Sequence, residues 1–102
     1  MADQTVRARL RQVRERAGVP ASELSEMSGL SHGVVSMIET EEPYGIKRPS
    51  YEVLRRLCKS LGASVEWLAH GDGSGPSDKQ LAAAIERTRA NPQPKLSEER
   101  VA

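Results

Sequence analysis

Phenylalanine is absent from this sequence, and cysteine and tryptophan occur once each. Trp67, Tyr44 and Tyr51 are the whole aromatic complement, so any core must be aliphatic, built from Leu, Val, Ile, Met and Ala. A lone Cys58 cannot close an internal disulfide, which excludes a disulfide-stapled scaffold and fits a reducing cytosol. No apolar run approaches the roughly 18 residues of a membrane span, and the N-terminus lacks the apolar segment of a signal peptide. The expected protein is soluble and cytoplasmic. Charge of one sign is also missing: 15 Lys and Arg against 14 Asp and Glu leave a formal net charge of +1. Global charge therefore makes no case for nucleic acid, and only a local basic patch would. A chain of 102 residues has room for one domain, which folds alone only with efficient helix packing.

What is present is helical periodicity. Val6, Leu10, Val13 and Ala17 are spaced four, three and four apart, one face of a helix over 5–17. Arg7, Arg9, Arg11, Arg14 and Arg16 fill much of the remainder and read as a solvated face. Gly18 suits a left-handed end and Pro20 discourages continuation. A second helix is predicted over 21–28, with Leu24 and Ser28 inward and Met27 beside them. Gly29 permits the positive φ of a very short turn. Ser31 is the expected N-cap of a third helix, 32–40, with Val35 and Ile38 as its buried seam.

Pro43, Gly45 and Pro49 break the following stretch into a loop. Ser50 caps a fourth helix carrying Val53, Leu54, Leu57, Cys58 and Leu61 on one stripe, which Gly62 ends. Ser64 caps a fifth, 65–70. "DGSGPS" then reads as a flexible linker over 72–77. Residues 78–90 form a further short helix, opened by a Ser77–Gln80 capping box. Its apolar face is thin: Leu81, Ala84, Ile85 and Thr88. Alone it would be marginal in water, and it reads equally as a frayed tail or as a face for a symmetry mate or partner. Residues 91–102, with two prolines and many charges, are expected to be disordered. No internal repeat and no strand is predicted.

Two helices joined by a three-residue turn pack steeply only if particular positions are small or apolar. Ser25 is small where the helices cross, Gly29 makes the turn, and Leu30, Val35 and Ile38 fill the space beneath. The ordered string "LRQVRERAGV…SELSEMSGLSHGVVSMIE…KRPSYEVLRRLCKSLGASVEWL" resembles the helix-turn-helix domain of the lambda repressor-like (Cro/CI, XRE) regulators of bacteria and phages over about residues 6–71. That resemblance implies an all-α, compact five-helix bundle over 1–71. It also implies binding of operator DNA, often as a homodimer, to repress or activate transcription. Arg14 and Glu39 match a pair that commonly bridges the first and third helices of the family, an architectural role rather than a DNA contact.

By the same resemblance the third helix enters the major groove, with His32, Gly33, Ser36 and Met37 facing bases. Phosphates would be met by Ala21, Ser31, Thr40, Lys47 and Arg48, with some of Arg7, Arg9 and Arg11 as the alternative to their solvated-face reading. The chain departs from the family here. Ala21 stands where Gln typically touches the DNA backbone, and His32, Gly33 and Met37 occupy positions that often hold Gln, Ser, Thr or Arg. His32 and Ser36 can still hydrogen-bond base edges, and Met37 can pack on a thymine methyl. The loop before Ser50 is longer than in the family and carries Glu41 and Glu42, which oppose DNA unless turned outward. The alternative reading is a protein-interaction module of the same fold, docking another regulator through the third helix and the 40–49 loop. His32, His70 and Cys58 match no zinc spacing, and Cys58 replaces a small buried Ala of the family, so a structural thiol is expected and no metal or cofactor. Ser, His and acidic residues are not organised by any nucleophile motif, so no enzymatic activity is expected.

Overall fold

The computed structural model describes residues 5–40 and 49–96. Six helices follow one another: α1 (Val6–Ala17), α2 (Ala21–Met27), α3 (Val34–Glu39), α4 (Tyr51–Leu61), α5 (Val65–His70) and α6 (Asp78–Ala90). Among the described residues there is no strand, and no helix is long and apolar enough to cross a membrane. The capping grammar of the sequence is realised at most ends. Gly18, Gly62 and Gly71 close α1, α4 and α5 in the left-handed conformation. Ser50, Ser64 and Ser77 accept amide hydrogens at the starts of α4, α5 and α6, and Ser77 and Gln80 form the reciprocal capping box.

The core lies where the helical stripes converge. Leu10 and Val13 of α1, Leu24 of α2, Val35 and Ile38 of α3, Leu57 and Leu61 of α4 and Leu68 of α5 are all fully enclosed. Cys58 is buried among them, and that burial pushes its thiol up to about 12. A thiol held protonated in this way is inert packing, as the sequence suggests.

Two arginines are buried with it. Arg9 turns inward and donates from Nε to the Leu68 carbonyl at the end of α5, 2.9 Å away. This corrects the reading of the α1 arginines as one solvated face: Arg9 supplies an orphan carbonyl of a short helix with a charge-assisted donor. Arg56 of α4 donates to the Ser28 carbonyl at 3.2 Å and also to the Pro94 carbonyl, while Glu52 grips its Nε at 3.0 Å.

The C-terminal third departs most from expectation. The thin apolar face of α6 is covered by α4 and α1 of the same chain, and Leu81, Ala84, Ile85 and Thr88 are all buried. Burying Leu81 and Ile85 contributes roughly 3–6 kcal/mol, enough to hold a helix that water alone would fray. Arg16 of α1 secures its start, reaching the Pro76 carbonyl at 3.0 Å and Asp78 at 2.7 Å. The linker before it is packed in part: Pro76 is buried, and a Cβ on Gly75 would collide with the Trp67 indole, 2.7 Å from Cζ2.

Beyond α6, residues 91–96 lie as a strap on the turn between α2 and α3, and residues 97–102, the rest of the stretch expected to be disordered, lie outside the described residues. Gln93 N–H donates to the Met27 carbonyl at 3.0 Å and Leu96 N–H to that of Gly29 at 2.8 Å. The Gln93 amide reaches the Arg56 carbonyl at 2.7 Å and Ser60 Oγ at 3.0 Å, and Ser60 in turn bonds Ser28 at 2.7 Å. Each buried polar group at this junction thus has a partner, which is the condition for burying them at all.

Candidate nucleic-acid interface

The interface is set by one serine and one glycine. Ser25, fully buried on α2, donates its hydroxyl to the Ala21 carbonyl at 3.0 Å. The same oxygen accepts the Val35 amide at 3.0 Å. It therefore caps α3 from another helix and fixes how α3 crosses α2. Gly29, at φ 75°, reverses the chain, and Leu30 N–H returns to the Ser25 carbonyl at 2.9 Å. Smallness of Ser25 explains the crossing, as the sequence implies, but its hydroxyl is as important as its size.

That cap replaces the expected one. Ser31 does not cap α3 with its side chain; its carbonyl accepts Val34 N–H at 3.1 Å, and the regular helix begins two residues later than predicted, with Gly33 at the N-cap position. The reason is that residues 31–33 form a tight turn, and the amide requiring a cap, that of Val35, is already bound by Ser25.

α3 is clamped to α1 at its other end. Arg14 forks onto Glu39 with Nε and Nη2 at 2.7 and 2.8 Å, and Nη1 reaches the Val19 carbonyl at 3.0 Å. Hydrogen bonding to Glu39 raises the Arg14 pKa, partly opposed by burial. The pair is internal, as the resemblance implies.

With Val35 and Ile38 turned into the core, Ser31, His32, Gly33, Ser36, Met37 and Thr40 share one exposed strip. Met37 is 46% exposed, unusual for a residue of its size. At Gly33 a Cβ would meet nothing within 4 Å, so the backbone is open to close approach. His32 Nδ1 lies 2.8 Å from Glu26 Oε2, and Thr40 donates its hydroxyl to the Ser36 carbonyl at 2.7 Å. Ala21 opens α2 half-buried against the core. Lys47 and Arg48, like Glu41 and Glu42, lie outside the described residues. Of the α1 arginines, Arg9, Arg14 and Arg16 are committed to internal partners, and Arg11 stays exposed beside Glu15 at 3.7 Å.

Three residues at this junction escape a reading of the sequence: Glu26, Arg56 and Gln93. Arg56 carried a signal, because it stands three residues beyond Val53 and four before Ser60, on the buried face of α4. Arg9 did likewise, three beyond Val6 and four before Val13. Glu26 and Gln93 carried none, because their partners come from other elements. The strip offers an imidazole, three hydroxyls, an apolar thioether and an accessible backbone.

No curated protein and no solved structure matches the chain. A known family does match, described as a helix-turn-helix domain, and it spans residues 6–70, from the first residue of α1 to the last of α5. That span contains the α2–turn–α3 unit and the Arg14–Glu39 clamp just described, and it agrees with the lambda repressor-like character of the sequence. The chain therefore belongs to the helix-turn-helix domain family, a fold of DNA-binding regulators.

Proposed function

We propose that this protein is a sequence-specific DNA-binding transcriptional regulator without catalytic activity, using α3 in the major groove and loop cations on phosphates. The observation that carries the reading is the exposed strip from Ser31 to Thr40, held rigidly from behind by Ser25, Val35, Ile38 and the Arg14–Glu39 fork. A helix presented this way meets base edges with His32, Ser36 and Met37, and Gly33 lets the backbone come close. Ser31 and Thr40 lie at the ends of the strip, where phosphates run, and Ala21 leaves the start of α2 without a polar side chain. Lys47 and Arg48 supply the phosphate charge. The strip offers few groups for base edges, so the reading calls for a homodimer on a two-fold operator, with half-site spacing and DNA shape adding specificity. Among the described residues the large exposed apolar side chains are Met37 and Tyr51, on different helices. The match to a helix-turn-helix domain over residues 6–70 supports DNA as the partner.

The test is binding to genomic fragments at two salt concentrations. Lys47→Ala with Arg48→Ala weakens binding to all sequences and reduces the salt slope by roughly 2, about 0.9 for each phosphate no longer neutralised. Met37→Ala alters sequence preference and leaves that slope in place. Absence of binding at low salt, or indifference to both changes, refutes the proposal.

A further inference from the structure

The His32 ring is the aromatic, ionisable group on the strip, and the structure engages one of its two nitrogens. Nδ1 lies 2.8 Å from Glu26 Oε2, with side-chain exposures of 73% and 64%. An ionised carboxylate only accepts. Nδ1 therefore carries the hydrogen of this bond in the neutral ring and in the cation alike. What protonation changes is Nε2, a bare lone pair in the neutral ring and an N–H donor in the imidazolium. Of the other acids on these two helices, Glu39 is held by Arg14 and Glu23 by Arg89. Among the described residues Glu26 is thus the carboxylate that engages the His32 ring.

We infer that Glu26 is a specificity-determining residue acting through His32: by fixing hydrogen on Nδ1 it makes Nε2 an acceptor at higher pH and a donor at lower pH, so the base chosen opposite His32 changes with pH. The inference rests on the reading of the strip as base-facing. As an acceptor, Nε2 suits the exocyclic amines of adenine or cytosine; as a donor, it suits purine N7, guanine O6 and thymine O4, of which guanine alone offers two side by side. Without Glu26 the neutral ring is free to carry its hydrogen on Nε2, and the guanine contact survives at any pH.

The experiment is selection of bound duplexes from a random pool by the full chain at about pH 5.5 and about pH 8, for wild type, Glu26→Ala and His32→Ala. Nitrogen-15 spectra of the free proteins report which ring nitrogen is protonated. Wild type is expected to shift at one base-pair position from guanine to adenine or cytosine as pH rises, by about 3- to 10-fold in relative preference, the worth of one hydrogen bond. Glu26→Ala keeps guanine at both pH values and moves the neutral-ring hydrogen to Nε2. His32→Ala loses the pH dependence at that position. Because both side chains are exposed, thermal melting is expected to be unchanged. A wild-type preference that ignores pH, a Glu26→Ala selection identical to wild type, or a neutral wild-type ring protonated on Nε2 overturns the inference. DNA binding with pH-independent selection removes this inference alone, whereas no binding at low salt removes the DNA reading with it.

Discussion

Replacing Gly29 by alanine tests how the strap and the turn depend on each other. Gly29 adopts φ 75°, and a Cβ there would overlap the Pro94 carbonyl and the Arg56 guanidinium. Two costs follow. The first is conformational, about 1–2 kcal/mol for an L side chain in the left-handed region. The second is steric, and backbone cannot swing aside as a side chain does. If the methyl expels the strap, the bonds from Gln93 N–H to Met27, from Leu96 N–H to Gly29, from the Gln93 side-chain amide to Arg56 and Ser60, and from Arg56 to Pro94 are broken. At about 1 kcal/mol for each neutral bond and 1.5–3 for the charged one, the loss is roughly 5–7 kcal/mol, offset in part by freedom regained by the strap. Gly18 supplies the control. It has φ 69°, yet a Cβ there meets nothing within 4 Å. Gly18→Ala therefore reports the conformational cost alone. Urea unfolding of the two variants should place Gly29→Ala at least about 2 kcal/mol below Gly18→Ala. Equal losses would show that the strap exerts no hold on the turn and refute the reasoning.

Other outcomes follow from the same geometry. Ser25→Ala leaves the Val35 amide without its cap and should cost about 1–3 kcal/mol, with faster amide hydrogen exchange at Val35 than elsewhere in the core. Arg14→Ala strands a nearly buried Glu39 carboxylate and should cost about 3 kcal/mol by denaturant unfolding; Glu39→Ala should cost less, because Arg14 retains the Val19 carbonyl. Cys58 ionises more readily in the unfolded chain, from a usual value of 9.0, than in the fold, where burial pushes it up to about 12. Its contribution is therefore whole below about pH 9 and is lost as pH rises, by roughly 1–3 kcal/mol toward pH 11. Cys58→Ala should flatten that window in thermal melts recorded against pH.

The elements whose physics is local were legible in the sequence. Val6, Leu10 and Val13 announce α1 by spacing, Gly18 its end, and Ser50, Ser64 and Ser77 the starts of later helices. The helix-turn-helix was legible because Ser25, Gly29, Leu30, Val35 and Ile38 occupy one short window. What was missed depends on partners remote in the chain. Ser31 has the chemistry of a cap, but Ser25 takes the amide first. Arg9 and Arg56 sit on apolar faces because carbonyls of Leu68, Ser28 and Pro94 wait for them there. The composition of residues 91–96 announces a solvated tail, and nothing local reveals that Met27 and Gly29 have carbonyls to accept its amides. In the candidate interface the exposure of His32, Gly33, Ser36 and Met37 follows from the burial of Val35 and Ile38, but nothing local announced the Glu26 carboxylate that engages the one imidazole.

The approach of Gly75 to the Trp67 indole has a practical consequence. Trp67 is the only tryptophan in the chain, and the peptide leading into α6 passes directly across it. Its fluorescence is therefore an intrinsic gauge of whether the C-terminal third is seated. A red shift that precedes loss of ellipticity on heating would mark that third lifting away while the remaining helices persist, with no dye or label attached.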